Sequence, residues 1–281
     1  MGSKLSIWGL DIPELVLLHS EKQYLESLPK SLPTMNWVCE ELDRVWDEYN
    51  LDNSKPLVSQ AIGSYYSHPV WLMNGIFSAR DITSVLHRQA IAKYLQSLHV
   101  SMVADYGGGF GELALAISRA CNDTIVHIVE PYPTKVGMDR VRDESKICIV
   151  SSLSGSTYDV LVAQDVLEHV EDPIALAFEL ASATRVSGKL VFANCFYPVI
   201  KSHLPHTFHL RYTFPMVMSA LGLRTIGRID GASHAYVFQR DKNLSLNNAR
   251  IIEKISKIAG PLINSLASFF VFLKGALRRA K

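Results

Sequence analysis

The chain has 281 residues, of which 48% are hydrophobic and 20% are charged. These values are typical of a packed globular protein and exclude a disordered chain, a collagen-like repeat and a disulfide-rich miniprotein. With 28 Lys and Arg against 27 Asp and Glu, the formal net charge is +1, which argues against a nucleic-acid partner because no overall positive field would attract one.

The cysteines and the N-terminus point to an intracellular location. The four cysteines are Cys39, Cys121, Cys148 and Cys195. They form no Cys-x-x-Cys pair, so neither a zinc site nor a disulfide framework is indicated. Residues 1–13 lack the apolar run and small-residue cleavage site of a secretory signal. We therefore expect a cytoplasmic protein.

Residues 1–90 are expected to form a helical cap or lid. Apolar residues recur at helical spacing between residues 12 and 50. Residues 56–78 instead mix aromatic and polar side chains with little periodicity, as in a lid over a site. Asp81 is expected to cap the N-terminus of the helix that leads into the core, because a short acidic side chain accepts hydrogen bonds from first-turn amides.

Residues 91–240 show strands alternating with helices. The expected strands cover 100–104, 125–129, 147–150, 160–163 and 189–193, and the expected helices cover 112–120 and 173–183. A helix at 215–221 and two short strands at 225–229 and 235–239 are expected to complete the sheet as an antiparallel edge pair. This order predicts a doubly wound α/β fold with a mostly parallel, Rossmann-like sheet.

Residues 241–281 are expected to form a C-terminal amphipathic helical tail. No charged residue occurs from 258 to 273, but this run is shorter than the ~20 residues needed to cross a bilayer. The helix is expected to pack on the domain or on a second subunit, or to lie at the inner face of a membrane. Its apolar face would be Leu262, Leu266, Phe269, Phe270, Leu273 and Leu277, and its basic end Lys274, Arg278, Arg279 and Lys281.

A glycine-rich turn follows the first core strand. The strand ends in Asp105, and Gly107, Gly109 and Gly111 come before the next helix. Such a turn folds tightly and lets its backbone approach a ligand. A dinucleotide is one ligand of such turns, but its fingerprint needs the third glycine where this chain has Glu112, whose carboxylate would lie beside the pyrophosphate.

Two stretches carry a resemblance to a known family. Residues 105–111, Asp-Tyr-Gly-Gly-Gly-Phe-Gly, resemble the first motif of class I S-adenosylmethionine-dependent methyltransferases, and residues 158–173 resemble the fourth strand and following loop of that family. The resemblance covers roughly residues 91–239. It implies S-adenosylmethionine as cofactor, with S-adenosylhomocysteine as product.

The resemblance also implies which residues hold the cofactor. Asp105 and the glycines would surround its methionine portion, and Glu130, at the end of the next strand, would accept hydrogen bonds from the ribose hydroxyls. The family's acidic residue near adenine is missing here, so Ser152 or the Leu153 backbone would replace it. The full expected cofactor set is Asp105, Gly107, Gly109, Gly111, Glu130, Ser152, Gln164 and Asp165.

The acceptor side is expected to involve histidines and the lid. Methyl transfer to a hydroxyl requires removal of a proton, which suits a histidine near neutral pH. The candidates for this base are His203, His206 and His209. Their spacing would also fit metal ligands, but Pro205 interrupts a helix there and no carboxylate lies nearby in sequence, so no metal is expected. The expected substrate contacts are Tyr65, Tyr66, His68, Trp71, Asn74 and His169.

The sequence thus predicts a methyltransferase acting on a small molecule or glycan, at oxygen. Two alternatives remain at this stage. One is an NAD(P)-dependent oxidoreductase, which would bind a dinucleotide at the same turn. The other is a catalytically silent methyltransferase-like protein that interacts through its C-terminal helix.

Overall fold

The N-terminal region is a hairpin followed by helices. The computed structural model describes the backbone of residues 3–57, 59–241 and 243–279. Within these ranges it describes the side chains up to residue 267, except that of residue 59. Strands β1 (Lys4–Ile7) and β2 (Leu10–Pro13) pair antiparallel. Five helices follow: α1 (His19–Glu26), α2 (Met35–Glu48), α3 (Ser59–Tyr66), α4 (Pro69–Arg80) and α5 (Ile82–Leu98).

Helices α4 and α5 show how local chemistry and burial set these elements. Asp81 caps α5 as expected, since its Oδ2 accepts a hydrogen bond from the Ser84 amide at 2.8 Å. The aromatic segment at 56–78 is helical despite its weak periodicity. Every residue of α4 except Arg80 is buried or half-buried, and a helix buried on all sides carries no clear amphipathic pattern.

The core is one seven-stranded sheet. Its strands are β3 (Met102–Tyr106), β4 (Ile125–Val129), β5 (Ile147–Val150), β6 (Tyr158–Gln164), β7 (Thr184–Ala193), β8 (Leu223–Ile229) and β9 (Ala232–Arg240). The spatial order is β5-β4-β3-β6-β7-β9-β8. Neighbours from β5 to β7 pair in parallel, whereas β9 is antiparallel to both β7 and β8. The predicted doubly wound α/β fold with an antiparallel edge pair is confirmed.

The remaining helices are α6 (Glu112–Ala120), α7 (Lys135–Val141), α8 (Pro173–Ala183), α9 (Leu210–Leu221) and α10 (Leu246–Arg279). Helices α6 and α8 have the predicted bounds. Helix α9 begins five residues before the expected start. Helix α7 was not predicted, because it has only two turns; Thr134 caps it by accepting from the Gly137 amide at 3.0 Å.

Apolar side chains cover both faces of the sheet. Along β6, Val160 and Val162 pack with the side chains of α5 and α6, whereas Leu161 and Ala163 pack with those of α8 and α9. All four are fully buried, which explains why the strand is a continuous apolar run. A third apolar cluster joins the N-terminal helices to Phe110 of the glycine turn.

Helix α10 has one packed face and one exposed face. Gly260 approaches the start of α9 so closely that a Cβ there would lie 2.6 Å from the His209 carbonyl oxygen. Asn264 donates to the Phe208 carbonyl at 3.0 Å. A second face exposes apolar side chains to solvent: Ile251, Ile255, Ile258, Leu262 and Leu266.

The more distal part of the predicted apolar face, with its basic end, falls on side chains outside the described residues. These are Phe269, Phe270, Leu273, Lys274, Leu277, Arg278, Arg279 and Lys281. Among the described helices, none combines the length and apolarity needed to cross a membrane.

Candidate active site

The glycine turn connects β3 to α6 at the carboxyl end of the sheet. Gly107 and Gly109 have φ of +70° and +49°, a left-handed conformation that favours glycine. A Cβ on Gly107 would lie 2.6 Å from Val166 Cγ2, so this position is sterically closed. A Cβ on Gly109 would meet no heavy atom closer than 3.8 Å. The turn therefore leaves open space against the backbone of Gly109.

Two acidic side chains flank this turn. Glu130, directly after β4, accepts hydrogen bonds from the Gly109 amide through Oε2 at 2.8 Å and from the Tyr132 amide through Oε1 at 2.9 Å. Asp105 is only 2% exposed, and its Oδ2 has no hydrogen-bond partner among the described residues. Burial, together with the negative charge of Glu130, raises the pKa of Asp105 to about 7.

A cavity of about 550 Å³ opens in front of the turn. It is bounded by the carboxyl ends of β3, β4 and β6, by helices of the N-terminal region and by the chain after β7. In doubly wound folds ligands bind at this end of the strands. Of the predicted site residues, those that line it are Asp105, Gly107, Gly109, Glu130, Gln164, Asp165, Tyr66, Trp71, Asn74, His169 and His203.

Six predicted site residues do not line this cavity. Gly111 begins α6 and packs toward Val141, and Ser152 is exposed in the loop after β5. Tyr65 is fully buried, with its hydroxyl 3.4 Å from the Leu42 carbonyl oxygen. The other three are His68, His206 and His209.

These histidines have other partners. His68 caps α4, its Nδ1 accepting from the Val70 amide at 3.0 Å, and it lines a separate pocket. His206 is exposed, with Nε2 3.0 Å from the Glu171 carbonyl oxygen. His209 is buried under α10, with Nδ1 2.8 Å from the His206 carbonyl oxygen. Of the three histidines expected as candidates for the base, only His203 lines the cavity.

Two acids and two histidines cluster at one side of the cavity: Asp165, His169 and His203 line it, and the ligand atom of Glu168 lies within 4.8 Å of those of the two histidines. Asp165, at the end of β6, has φ of +53° and faces the cavity, where the surrounding protein raises the pKa of its carboxyl. Glu168 is fully buried and accepts a hydrogen bond from the Cys195 amide through Oε1 at 2.6 Å. Burial raises the pKa of Glu168 to about 8.

The two histidines of this cluster are His169 and His203, with ring centroids 4.8 Å apart. Nδ1 of His169 lies 3.0 Å from the Ser202 carbonyl oxygen, and Nδ1 of His203 lies 2.9 Å from that of Tyr197. A carbonyl accepts only, so each Nδ1 carries the proton and each Nε2 keeps a free lone pair. Burial lowers the pKa of both, that of His169 to about 3, which keeps the rings neutral.

Aromatic side chains form another wall. Tyr66 and Tyr132 stack with ring centroids 5.7 Å apart and an interplanar angle of 18°, and Trp71 lies 5.0 Å from Tyr66. The Tyr66 hydroxyl and Trp71 Nε1 are buried without a hydrogen-bond partner among the described residues. This wall therefore offers flat apolar faces and unpaired polar atoms to a ligand.

Helix α4 lies directly on the glycine turn. A Cβ on Gly75 would lie 2.8 Å from the Phe110 ring. The guanidinium carbon of Arg140 lies over the same ring, 4.6 Å from its centroid. Arg88 of α5 also lines the cavity, held by hydrogen bonds to the Ser78 side chain at 2.7 Å and the Ser78 carbonyl at 2.6 Å. The N-terminal region thus contributes part of the cavity wall.

Glu168 was not predicted as a site residue. Its contact to Cys195 spans 27 residues, so sequence spacing gave no sign of it. The adjacent Glu168-His169 pair, just after the acid that ends β6, was the available signal.

Comparison with known proteins identifies the fold. No protein-family model and no curated protein matches the chain by sequence. Human N-acetylserotonin methyltransferase in complex with S-adenosylmethionine is similar in structure, with a TM-score of 0.52, 15% identity, and coverage of 79% of this chain and 70% of that one.

Two further structures show weaker similarity. Mitomycin 7-O-methyltransferase has a TM-score of 0.49 and 16% identity, covering 74% of this chain and 67% of that one. An S-adenosylmethionine-dependent methyltransferase from Aquifex aeolicus has a TM-score of 0.45 and 13% identity, covering 57% and 92%. The fold assignment rests on the human enzyme and on the strand order described above. The chain therefore has the fold of the class I S-adenosylmethionine-dependent methyltransferases.

Proposed function

We propose that the chain is an S-adenosylmethionine-dependent methyltransferase that transfers a methyl group to an oxygen of a small molecule or glycan. The observation that carries this proposal is the open glycine turn at Gly109, placed between the buried acid Asp105 and the carboxylate of Glu130 at the mouth of one cavity. A cavity of about 550 Å³ is within the range of small-ligand sites.

The residues present fit this cofactor. Gly109 leaves room that a Cβ would fill, and Asp105 Oδ2 is a buried acceptor without a partner in the described chain. Asp105 and the glycines would hold the positively charged methionine end, and Glu130 would hold the ribose. The bound cofactor supplies an electrophilic methyl group on a sulfonium.

Acceptor binding is assigned to the aromatic wall. Tyr66, Trp71 and Tyr132 would stack on a flat or apolar acceptor, and the unpaired Tyr66 hydroxyl and Trp71 Nε1 would orient it. Orientation matters because methyl transfer is an in-line displacement that depends on near-attack alignment.

His203 is the residue best placed to take the proton of a hydroxyl acceptor. It lines the cavity, and its Nδ1 is fixed on the Tyr197 carbonyl, so Nε2 is the atom with a free lone pair. His206 and His209 are each engaged elsewhere, and the proposal gives them no catalytic role.

A cofactor-binding experiment separates this proposal from a nicotinamide-dependent oxidoreductase. Calorimetry with S-adenosylhomocysteine and with NAD(P)H should show binding of the first only. Asp105→Ala should abolish it, because the ammonium end loses its charged partner. Tight binding of NAD(P)H without binding of S-adenosylhomocysteine would overturn the proposal in favour of the oxidoreductase.

Activity is tested by transfer of a labelled methyl group into cell extract, followed by mass identification of the product. His203→Gln should retain S-adenosylhomocysteine affinity and lose most of the transfer rate, because only proton removal and acceptor placement are affected. Binding without labelling of any extract component would favour a catalytically silent methyltransferase-like protein.

The C-terminal helix is proposed to contact a membrane surface or a second copy of the chain. The apolar face formed by Ile251, Ile255, Ile258, Leu262 and Leu266 supports this, since it follows one side of α10 and is exposed. The basic residues that end the sequence would favour anionic head groups. Such contact would place a cytoplasmic protein at the inner face of the membrane.

A further inference from the structure

We propose that Glu168, His169 and His203 bind a divalent transition-metal ion in the wall of the cavity, with its open coordination positions directed toward the acceptor. The role of the metal in methyl transfer rests on the proposed function, whereas metal binding itself does not. No metal was expected from the sequence, because the carboxylate that completes this cluster is distant from His203 in the chain.

The ligand atoms are already close together. One carboxylate oxygen of Glu168 and one ring nitrogen each of His169 and His203 lie within 4.8 Å of one another. Bonds of about 2.0–2.2 Å to a common ion would bring such atoms to roughly 3–3.5 Å from each other. Metal binding would therefore draw the three side chains closer together.

Both imidazoles are held in the form that binds a metal. The Ser202 and Tyr197 carbonyl oxygens accept the Nδ1 protons of His169 and His203, at 3.0 and 2.9 Å. This arrangement fixes the tautomer and ring orientation of a metal-ligating histidine and leaves Nε2 as the donor atom. The two neighbouring imidazoles are thus each anchored through Nδ1 to a backbone carbonyl, as metal-ligating histidines usually are.

Glu168 has an unmet acceptor. Its side chain is fully buried; Oε1 accepts from the Cys195 amide, and Oε2 has no hydrogen-bond partner in the described part of the chain. A buried polar atom without a partner is costly and calls for an explanation such as an ion. A cation bound by Glu168 and the two imidazoles would give this oxygen a partner.

Asp165 places a second carboxyl group beside this cluster, since it lines the cavity three residues before Glu168. Metal binding deprotonates its ligands, so the two carboxyl groups, once ionised, and two neutral imidazoles would balance the charge of a dication. Asp165 would contribute as a further ligand or as a partner of a metal-bound water.

The donor set indicates the class of ion. Imidazole nitrogens with one or two carboxylates suit zinc, iron(II), manganese or cobalt rather than calcium, which takes oxygen ligands. Three protein ligands leave positions open, as in catalytic rather than structural sites. His169 and His203 both line the cavity, so an acceptor oxygen would complete the coordination shell. His203 would then act as a ligand that positions the acceptor through the metal, in place of a free base.

The test is a Co²⁺ titration of the full chain after chelator treatment, followed by visible absorption and calorimetry. We expect one equivalent to bind and to produce the absorption bands of Co²⁺ with nitrogen ligands. Glu168→Gln and His203→Gln should each weaken binding at least tenfold, while His206→Gln, in the same segment but bonded to Glu171, should leave it unchanged. No binding by the unmodified chain, or equal binding by all three variants, would overturn the proposal.

Two controls make the result decisive. Melting temperatures and S-adenosylhomocysteine binding of each variant report whether it folds; in Glu168→Gln the amide oxygen can still accept from Cys195. If Glu168→Gln fails to fold, His169→Gln replaces it in the comparison. Binding of S-adenosylhomocysteine without Co²⁺ binding would refute only the metal site. Co²⁺ binding without S-adenosylhomocysteine binding would refute only the proposed function.

Discussion

The buried acid Asp105 should destabilise the ligand-free protein at neutral and alkaline pH. Its pKa is raised from an ordinary value of 3.8 to about 7 in the fold. The folded state therefore holds its proton more tightly than the unfolded state, so stability falls as the pH rises between these two values. The loss of folding free energy is complete above pH 7 and disappears below the ordinary pKa of 3.8.

The magnitude follows from the difference in pKa. At about 1.36 kcal/mol per pH unit, ionising Asp105 in the fold costs about 4 kcal/mol at pH 8 and less than about 1 kcal/mol at pH 4. Asp105→Asn removes the ionisation while keeping an oxygen that can accept from the Ala114 amide. The variant should thus be more stable than the unmodified protein by up to about 4 kcal/mol at pH 8.

Thermal unfolding without ligand at several pH values measures this difference. For a chain of this length, about 4 kcal/mol corresponds to a rise in Tm of roughly 10 °C at pH 8, falling to a small difference near pH 4. The same variant should bind S-adenosylhomocysteine more weakly, since the charge that destabilises the empty site would attract the ammonium of the ligand. A Tm difference that is the same at pH 4 and pH 8 would refute this reasoning.

Three other predictions concern separate parts of the molecule. Glu130→Ala should weaken S-adenosylhomocysteine binding by about 100-fold in calorimetry, because charged hydrogen bonds to two hydroxyls are lost; unchanged affinity would remove Glu130 from the site. Gly107→Ala should lower the Tm more than Gly109→Ala, since its Cβ would lie 2.6 Å from Val166 Cγ2 whereas Gly109 faces open space; equal melting would contradict the geometry. Leu262→Glu, on the exposed face of α10, should bind anionic liposomes about tenfold more weakly than the unmodified protein. The control Leu15→Glu, which adds the same charge at another exposed position, should bind as the unmodified protein does. Equal sedimentation of the two variants and the unmodified protein with liposomes would exclude membrane contact through this face.

Elements determined by local pattern were predictable from the sequence. Strand β4 and helices α6 and α8 have the predicted bounds, because a buried strand is a short continuous apolar run and a surface helix has an apolar stripe. Glu130 was located for the same reason, since it directly follows β4. Asp81 as a helix cap was readable from one side chain and its neighbours.

Features that depend on distant contacts were not predictable. His203 and His206 are three residues apart, yet one faces the cavity and the other bonds to Glu171, because the intervening Pro205 starts a short 3₁₀ turn. The cluster around Glu168 combines the adjacent Glu168 and His169 with Cys195 and His203, which lie 27 and 35 positions after Glu168 in the chain. Only the crossover from β6 through α8 to β7 brings them together.

The contact between Gly75 and Phe110 has a consequence for related sequences. A side chain at position 75 and the ring at position 110 would occupy the same volume, since the Cβ would be 2.8 Å from that ring. Homologues should therefore change the two positions jointly, with a larger residue at 75 accompanied by a smaller one at 110. Such paired variation would link the evolution of the N-terminal region to that of the glycine turn, so that exchanging this region between relatives would require exchanging both positions.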